Sequence, residues 1–366
     1  MVIKKSLRQL KAYKPGKPIE ELKRSLRLKE VYKLASNENP FTPFYIKEAV
    51  LKETANINRY PEADCFYLRR ELARKLKVKE EQLVFGNGSD EIIVMALRGF
   101  CNVGNNVVVG YPTFLIYELQ AKVTGLKIKR VPFKSYHYDL DGMVKAIDKK
   151  TSIVFIANPD NPHGTYLSHR EIEGFLSKIP KSVLVFFDEA YFEFAPKQSF
   201  PHSLDLLKKR GNIIVTRTFS KAYGLAGLRI GYAITTPSVA EVLNKIREPF
   251  NVNRFAQVAA TVALKNKSFL RKTVSYINKE KDYFYRNFEK LGLEYVKSAT
   301  NFILVNFKKD TQSLYEYLLK RGIIVRQLRG WGLRNYFRVT VGLHKENLAF
   351  MRYFKNYLKG GDGRSE

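Results

Sequence analysis

An α/β fold built on a mostly parallel sheet is the architecture this 366-residue chain predicts, on three observations. Short β-branched or aromatic runs alternate with amphipathic helical stretches through the middle of the chain; each run closes on a polar or glycine-rich turn; and strand, turn and helix keep that order. Seven runs carry the strand signal: Gln82–Phe85, Asn106–Val109, Lys127–Val131, Ser152–Ala157, Val183–Phe187, Ile213–Thr216 and Ile230–Ile234. Between them a period near 3.6 residues marks helices at Glu91–Phe100, Ile116–Thr124 and Arg170–Ser177. Past Thr236 the grammar changes. A long helical region, Val239–Leu291, is interrupted at Pro249, and strand-like runs follow at Phe302–Phe307, Ile323–Val325 and Phe337–Val341, which predicts a second, smaller α+β unit. The expected division is an arm over residues 1–36, a large domain over 37–245 and a small domain over 246–366. Gly330, Trp331 and Gly332 mark the stretch Arg326–Asn335 as a mobile or ligand-facing loop.

Composition sets bounds on function. Apolar residues make up 45% and charged residues 27%, which fits a globular chain and excludes a disordered one. No apolar run reaches membrane-spanning length, and the N-terminal MVIKKSLRQLKAYKPGKP carries charges too often for a signal peptide, so a cytoplasmic protein is expected. Cys65 and Cys101 lack metal-ligand spacing and read as two reduced thiols; no metal site is expected. The net charge of +29, from 64 basic and 35 acidic residues, is unusual. Single Lys and Arg residues are scattered among apolar positions without a polybasic block, the pattern of a basic solvated surface rather than a nucleic-acid-binding element.

In an open parallel sheet, ligands bind beyond the carboxyl ends of the strands. Four strand ends carry unusual polar groups. GNGSDE combines glycines with a helix start at Ser89 and Asp90, suited to a phosphate, although an ordinary cap by Ser89 gives the same pattern. IANPDNPHGT puts the Asn161 amide at a strand mouth. VLVFFDEAYFEF is an apolar strand ending in Asp188, Glu189 and Tyr191, and a carboxylate there needs a cationic partner because an unpaired buried charge costs several kcal/mol, on the order of the desolvation penalty. TFSKAYGLAGLRIGY places Thr218, Ser220 and Arg229 around Lys221, a phosphate cradle beside an amine whose pKa is lowered by neighbouring cations and desolvation.

These segments, taken in order, resemble the fold-type-I pyridoxal-phosphate aminotransferases. SNENP, RYP, GNGSDE, YPTF, DEAY, SKAYGLAGLRIGY and FRVTVG are most similar to the branch of that family acting on histidinol phosphate, over about Tyr13 to Val341. The resemblance implies a large pyridoxal-phosphate-binding domain with a seven-stranded, mostly parallel sheet. It implies a homodimer, with the arm packing on the small domain or a partner subunit, and amino transfer between histidinol phosphate and 2-oxoglutarate in histidine biosynthesis. Lys221 would bond covalently to the cofactor and then shuttle protons; Asp188 would hold the ring nitrogen; Tyr191 and Asn161 the phenolic oxygen; and Tyr111 would stack on the ring. Ser89, Asp90, Thr218, Ser220 and Arg229 would hold the cofactor phosphate, joined by Tyr60 from the neighbouring subunit. Arg338 would grip the substrate anion, with Arg326, Tyr13 and Asn37 beside it. Two departures stand next to these positions: Phe41-Thr42-Pro43 in place of a glycine-containing turn, and His163 where Thr is usual. They leave broad aromatic amino acid transamination and threonine-phosphate decarboxylation as alternatives. A cofactor-binding regulator that contacts nucleic acid is the reading from a different class.

Overall fold

In the computed structural model, residues 16–360 are described and, ahead of them, residues 3, 5–8 and 10. The first strand, β1 (Tyr32–Leu34), is followed by the seven of the central sheet: β2 (Leu83–Gly86), β3 (Asn106–Tyr111), β4 (Lys127–Pro132), β5 (Thr151–Ala157), β6 (Leu184–Asp188), β7 (Ile213–Thr218) and β8 (Gly231–Ile234). Four more follow: β9 (Glu294–Tyr295), β10 (Phe302–Asn306), β11 (Ile323–Leu328) and β12 (Leu333–Thr340). The central sheet has the order β2-β8-β7-β6-β5-β3-β4, and only β8 runs against its neighbours. Helices cover both faces, so the inner strands are apolar without alternation, as burial on two sides demands. Along β5 to β7 the pleat sends Val154, Ile156, Val185, Phe187 and Val215 into one core and Ile153, Phe155, Phe186 and Ile214 into the other.

The second sheet, β1-β11-β12-β10-β9, packs on the helices Lys267–Lys290 and His344–Leu358 through Phe284, Phe288, Phe337, Phe350 and Phe354. Its edge strand β1 comes from the segment assigned above to an arm, and runs parallel to β11.

The long helical region breaks at 247–253, around Pro249 as expected, and departs from the expectation in two ways. It divides again at Asn266; Asn253 and Asn266 each cap a following helix, accepting from Ala256 N at 2.8 Å and Phe269 N at 3.0 Å. And the helix Arg254–Lys265, placed by the sequence reading beyond the boundary at 246, sinks Ala256, Ala259, Ala260 and Ala263 into the core of the large sheet. Its small side chains allow that close approach. The 24-residue helix after it joins the two cores, with Leu270 touching both.

Arg326–Asn335, expected as a mobile or ligand-facing loop, is a tight hairpin whose Arg326 and Trp331 line the cavity described below: β11 and β12 run almost to its tip, where a short turn, Arg329–Trp331, connects them. Trp331 anchors it by packing on Val296, Leu304 and Leu328.

Candidate active site

The carboxyl ends of the central strands and the rim of the second sheet enclose a cavity of about 320 Å3. Lys221, Asp188, Tyr191, Asn161, Asn37, Ser89, Asp90, Thr218, Ser220, Arg229, Arg326 and Arg338 all line it, from segments spread over more than 300 residues of sequence.

At the floor, Asp188 ends β6 and is 5% exposed. Its Oδ2 accepts from Tyr117 Oη at 2.8 Å and its Oδ1 from Ala190 N at 3.1 Å. Burial pushes its pKa up to about 6, against the opposing pull of the Tyr117 hydrogen bond. Among the described residues no ion pair reaches this carboxylate; its neighbour Glu189 points the other way, bound to Arg217 at 2.8 Å and to Ser203. One of the two acids in DEAY therefore serves a structural pair, while the other faces the cavity without a cation.

Lys221 follows β7, with Nζ 3.3 Å from Ser36 O and 5.9 Å from the centre of the Tyr191 ring. Burial lowers its pKa to about 8, assisted by the positive charge of Arg338 and, further off, Arg229. Its backbone is held by Asn39, whose Nδ2 donates to Lys221 O at 3.1 Å and Ala222 O at 2.9 Å. Asn37, in a left-handed conformation (φ 55°), donates through Nδ2 to Tyr191 Oη at 2.7 Å, so the tyrosine keeps its own proton to give to a ligand oxygen. Asn37 is fixed by Thr340 of β12, whose Oγ1 accepts from Asn37 N and donates to Asn37 Oδ1, both at 3.0 Å. Asn161 Oδ1 is engaged by Arg338, which leaves Asn161 only N–H groups to offer a ligand.

One end of the cavity is shaped for an anion. Gly88, not Ser89, is the cap residue, and no side chain caps the helix Ser89–Phe100, so its first N–H groups are open to a ligand. Gly88 has φ 83° and ψ 163°, a region essentially reserved for glycine, and a Cβ there would lie 2.5 Å from Arg229 Nη2. Thr218 and Ser220 complete the cradle, with Thr218 Oγ1 accepting from Ser220 N at 3.1 Å.

On the opposite wall, Arg326 of β11 and Arg338 of β12 are directly paired across the antiparallel ladder. Arg338 is 5% exposed, donates to Ala35 O at 2.9 Å and lies 4.8 Å from the Phe302 ring. Arg326 lies 5.0 Å from the Trp331 ring.

Three expected residues are not among the lining. Tyr111 stands outside the cavity, its ring 5.2 Å beneath the Arg130 guanidinium; the turn Pro112-Thr113 carries the chain round so that Phe114 faces the pocket instead. Tyr60 is 78% exposed and stacked on Phe250, away from the cavity of its own chain. Tyr13 lies outside the described residues. Sequence reasoning also missed Tyr117, Asn39 and Phe114. The last two sit inside the motifs SNENP and YPTF, and that was the available signal; Tyr117 had only its place in an amphipathic helix.

Among the described residues no helix is long and apolar enough to cross a membrane, and no His, Cys, Asp and Glu group is arranged to hold a metal ion.

Comparison with known proteins places these features in a family. Residues 29–351 match the model for aminotransferase class I and II. A histidinol-phosphate aminotransferase of Moorella thermoacetica is 43% identical over 97% of this chain and 92% of its own length. One from Anoxybacillus flavithermus is 42% identical, covering 98% and 97%. Among solved structures, the histidinol-phosphate aminotransferase of Sinorhizobium meliloti in complex with pyridoxal-5′-phosphate superposes with a TM-score of 0.90 at 27% identity, over 98% of this chain and 97% of that one. The L-threonine-O-3-phosphate decarboxylase of Porphyromonas gingivalis shares the fold, with a TM-score of 0.80 at 23% identity over 90% of this chain and all of that one.

Proposed function

The chain belongs to the class I and II aminotransferases, and on that footing we propose that it moves an amino group between histidinol phosphate and 2-oxoglutarate, yielding imidazole-acetol phosphate and L-glutamate, with pyridoxal 5′-phosphate as cofactor. The observation that carries this reading is the meeting, in one cavity, of a lysine with a lowered pKa, a buried carboxylate that has no cation, and two arginines paired across a strand ladder.

The cavity fits the cofactor at each end. Asp188 lacks only a positive partner, which a protonated ring nitrogen provides, and the helix start with Gly88, Thr218, Ser220 and Arg229 forms an oxyanion cradle that a side chain at residue 88 would fill. Pyridoxal 5′-phosphate, when bound, supplies an aldehyde for the substrate amine and a ring that accepts electrons as the Cα–H bond breaks. Asp188 would keep the ring nitrogen protonated. Tyr191 and Asn161 would donate to the phenolic oxygen, and Phe114, which lines the cavity, would cover the ring face in the role first assigned to Tyr111. Lys221 Nζ, which burial keeps readily neutral, would take the proton from Cα and return it to the cofactor carbon on the far side of the substrate nitrogen. Arg326 and Arg338 bind the anionic group of either substrate, phosphate or carboxylate, and Asn37 holds Tyr191 in line. Paired guanidiniums favour a dianion, which supports the phosphorylated substrate over a neutral aromatic side chain.

We further propose a cytoplasmic homodimer in which Tyr60 reaches the partner's cofactor phosphate. Phe44, Ile57, Tyr60 and Tyr67 are each more than 70% exposed within one short stretch, large side chains that a partner subunit would cover. Sedimentation of the purified protein tests the dimer, and a monomer at micromolar concentration contradicts it. Glutamate formation from 2-oxoglutarate, measured with histidinol phosphate and with phenylalanine as donor, tests the activity. Turnover of phenylalanine alone would sink the substrate assignment, and release of carbon dioxide from threonine phosphate would replace it with the decarboxylase reading.

A further inference from the structure

We propose that Trp331 is a positioning residue: its indole is the seat of the Arg326 guanidinium, and its N–H fastens the hairpin that carries both arginines to the opposite side of the pocket. The inference rests on the substrate-binding role proposed above for Arg326 and adds an aromatic residue that helps to give Arg326 a defined position.

Arg326 and Arg338 stand opposite each other on β11 and β12, and like charges directly across a ladder repel. Such a pair persists as a site only if each guanidinium is held from elsewhere. Arg338 is held by Asn161, Ala35 O and the Phe302 ring. For Arg326 the aromatic counterpart is Trp331, whose ring centre lies 5.0 Å from Cζ, within the range of a cation–π contact. The indole is in turn immobile. It is 3% exposed, rests on Val296, Leu304 and Leu328, and donates from Nε1 to Thr113 O at 2.8 Å. Thr113 belongs to the turn that delivers Phe114 to the cavity, and its own Oγ1 donates to Asp160 Oδ1 at 2.5 Å. That carboxylate also accepts from Tyr138 Oη at 3.1 Å and is bound to His163 Nδ1 at 2.7 Å. The acceptor for the indole is thus part of a fully buried polar cluster on the large-sheet side, while Trp331 and Arg326 belong to the second sheet. One side chain thus touches both an anion-binding group on the second sheet and the buried cluster of the first.

Trp331 is the only tryptophan in the chain, so its emission reports this position alone. Adding histidinol phosphate to the holoenzyme should change that emission along a saturation curve whose midpoint follows KM, as the bound anion offsets the charge that the seated guanidinium presents to the ring. Trp331→Leu, which removes both the ring face and the N–H, should raise KM for histidinol phosphate and for L-glutamate by about tenfold, with kcat changed less than about twofold, the size of one lost cation–π contact in a desolvated site. Trp331→Phe keeps the packing and a smaller face, and should lie between the two; it also guards against misfolding of the leucine variant. Emission that stays flat through saturation, or a KM within about twofold of wild type in a folded Trp331→Leu or Trp331→Phe enzyme, overturns the proposal. If the wild type transaminates L-glutamate but not histidinol phosphate, the substrate reading fails by itself, and the seat is still judged by the KM for glutamate.

Discussion

Adding pyridoxal 5′-phosphate to cofactor-free enzyme over a range of pH should reveal an amine at position 221 that titrates near 8 instead of the ordinary 10.5. Only the neutral amine attacks an aldehyde, so the rate of covalent capture should climb about tenfold per pH unit below 8 and level off above it. At pH 7 an amine of pKa 8 is roughly one-tenth neutral, and one of pKa 10.5 roughly three parts in ten thousand, so Lys221 should outpace an exposed lysine on the order of 300-fold. Burial is the largest cause and the charge of Arg338 the next, which makes a second perturbation informative: Arg338→Gln should move the midpoint upward, toward 10.5, by a fraction of the total shift. Stopped-flow absorbance of the bound cofactor gives the rate, and borohydride trapping with peptide mapping assigns the adduct to Lys221, with Lys221→Ala as the control that loses it. A midpoint above 10 in the wild type, or a downward movement in Arg338→Gln, would refute the electrostatic account of this lysine.

Four other outcomes follow from the same geometry. Asp188 titrates at about 6 in the fold against 3.8 in the open chain, so the folded state holds its proton more tightly and loses stability as pH rises between those values, by about 3 kcal/mol at pH 7. Asp188→Asn should therefore raise the Tm of cofactor-free enzyme at pH 7.5, with the gain shrinking toward pH 4, while transamination falls by orders of magnitude; an unchanged Tm at pH 7.5 contradicts the argument. Gly88→Ala should weaken cofactor binding at least about tenfold, because the backbone is strained and the added methyl displaces Arg229; equilibrium dialysis measures it. Arg338→Lys should raise KM more than it lowers kcat, since an ammonium cannot bond Asn161 and the substrate in the planar fork, and steady-state kinetics with two donors separates the effects. Burial pushes the Cys101 thiol up to about 11 and Cys65 to about 12, so labelling by a disulfide reagent at pH 8 should be slow until the protein unfolds; rapid labelling of native protein would contradict that burial.

What could be read from the sequence follows a physical division. Asp188 stood out because it terminates a run that must be apolar to lie inside a doubly covered sheet, so a charge at its end required a reason, and Lys221 because two hydroxyls and a guanidinium flank it just past β7. The choice between Tyr111 and Phe114 could not be made that way, because it depends on the path of a turn rather than on strand parity. Tyr117 lay in a helix of the right period, but which of its faces meets Asp188 is decided by packing with β6. The strand β1 is three residues long and pairs with a segment nearly 300 residues away, so no local pattern announced it. Alanine-rich Arg254–Lys265 shows the same limit: period and composition named a helix, while its partner was selected by how closely two backbones can approach.

The cross-strand register of Arg326 and Arg338 carries a consequence for how this enzyme can change. Their Cα atoms are kept apart by the spacing of an antiparallel pair, about 4.5–5.5 Å, so both side chains start from fixed neighbouring points on the main chain, and the contacts around each guanidinium set where it ends. Sliding β12 by a single residue would turn Arg338 to the far side of the sheet and dismantle the grip with every amino acid still present. Evolution toward other donors is therefore freer to act on what surrounds the two guanidiniums than on the ladder that holds them.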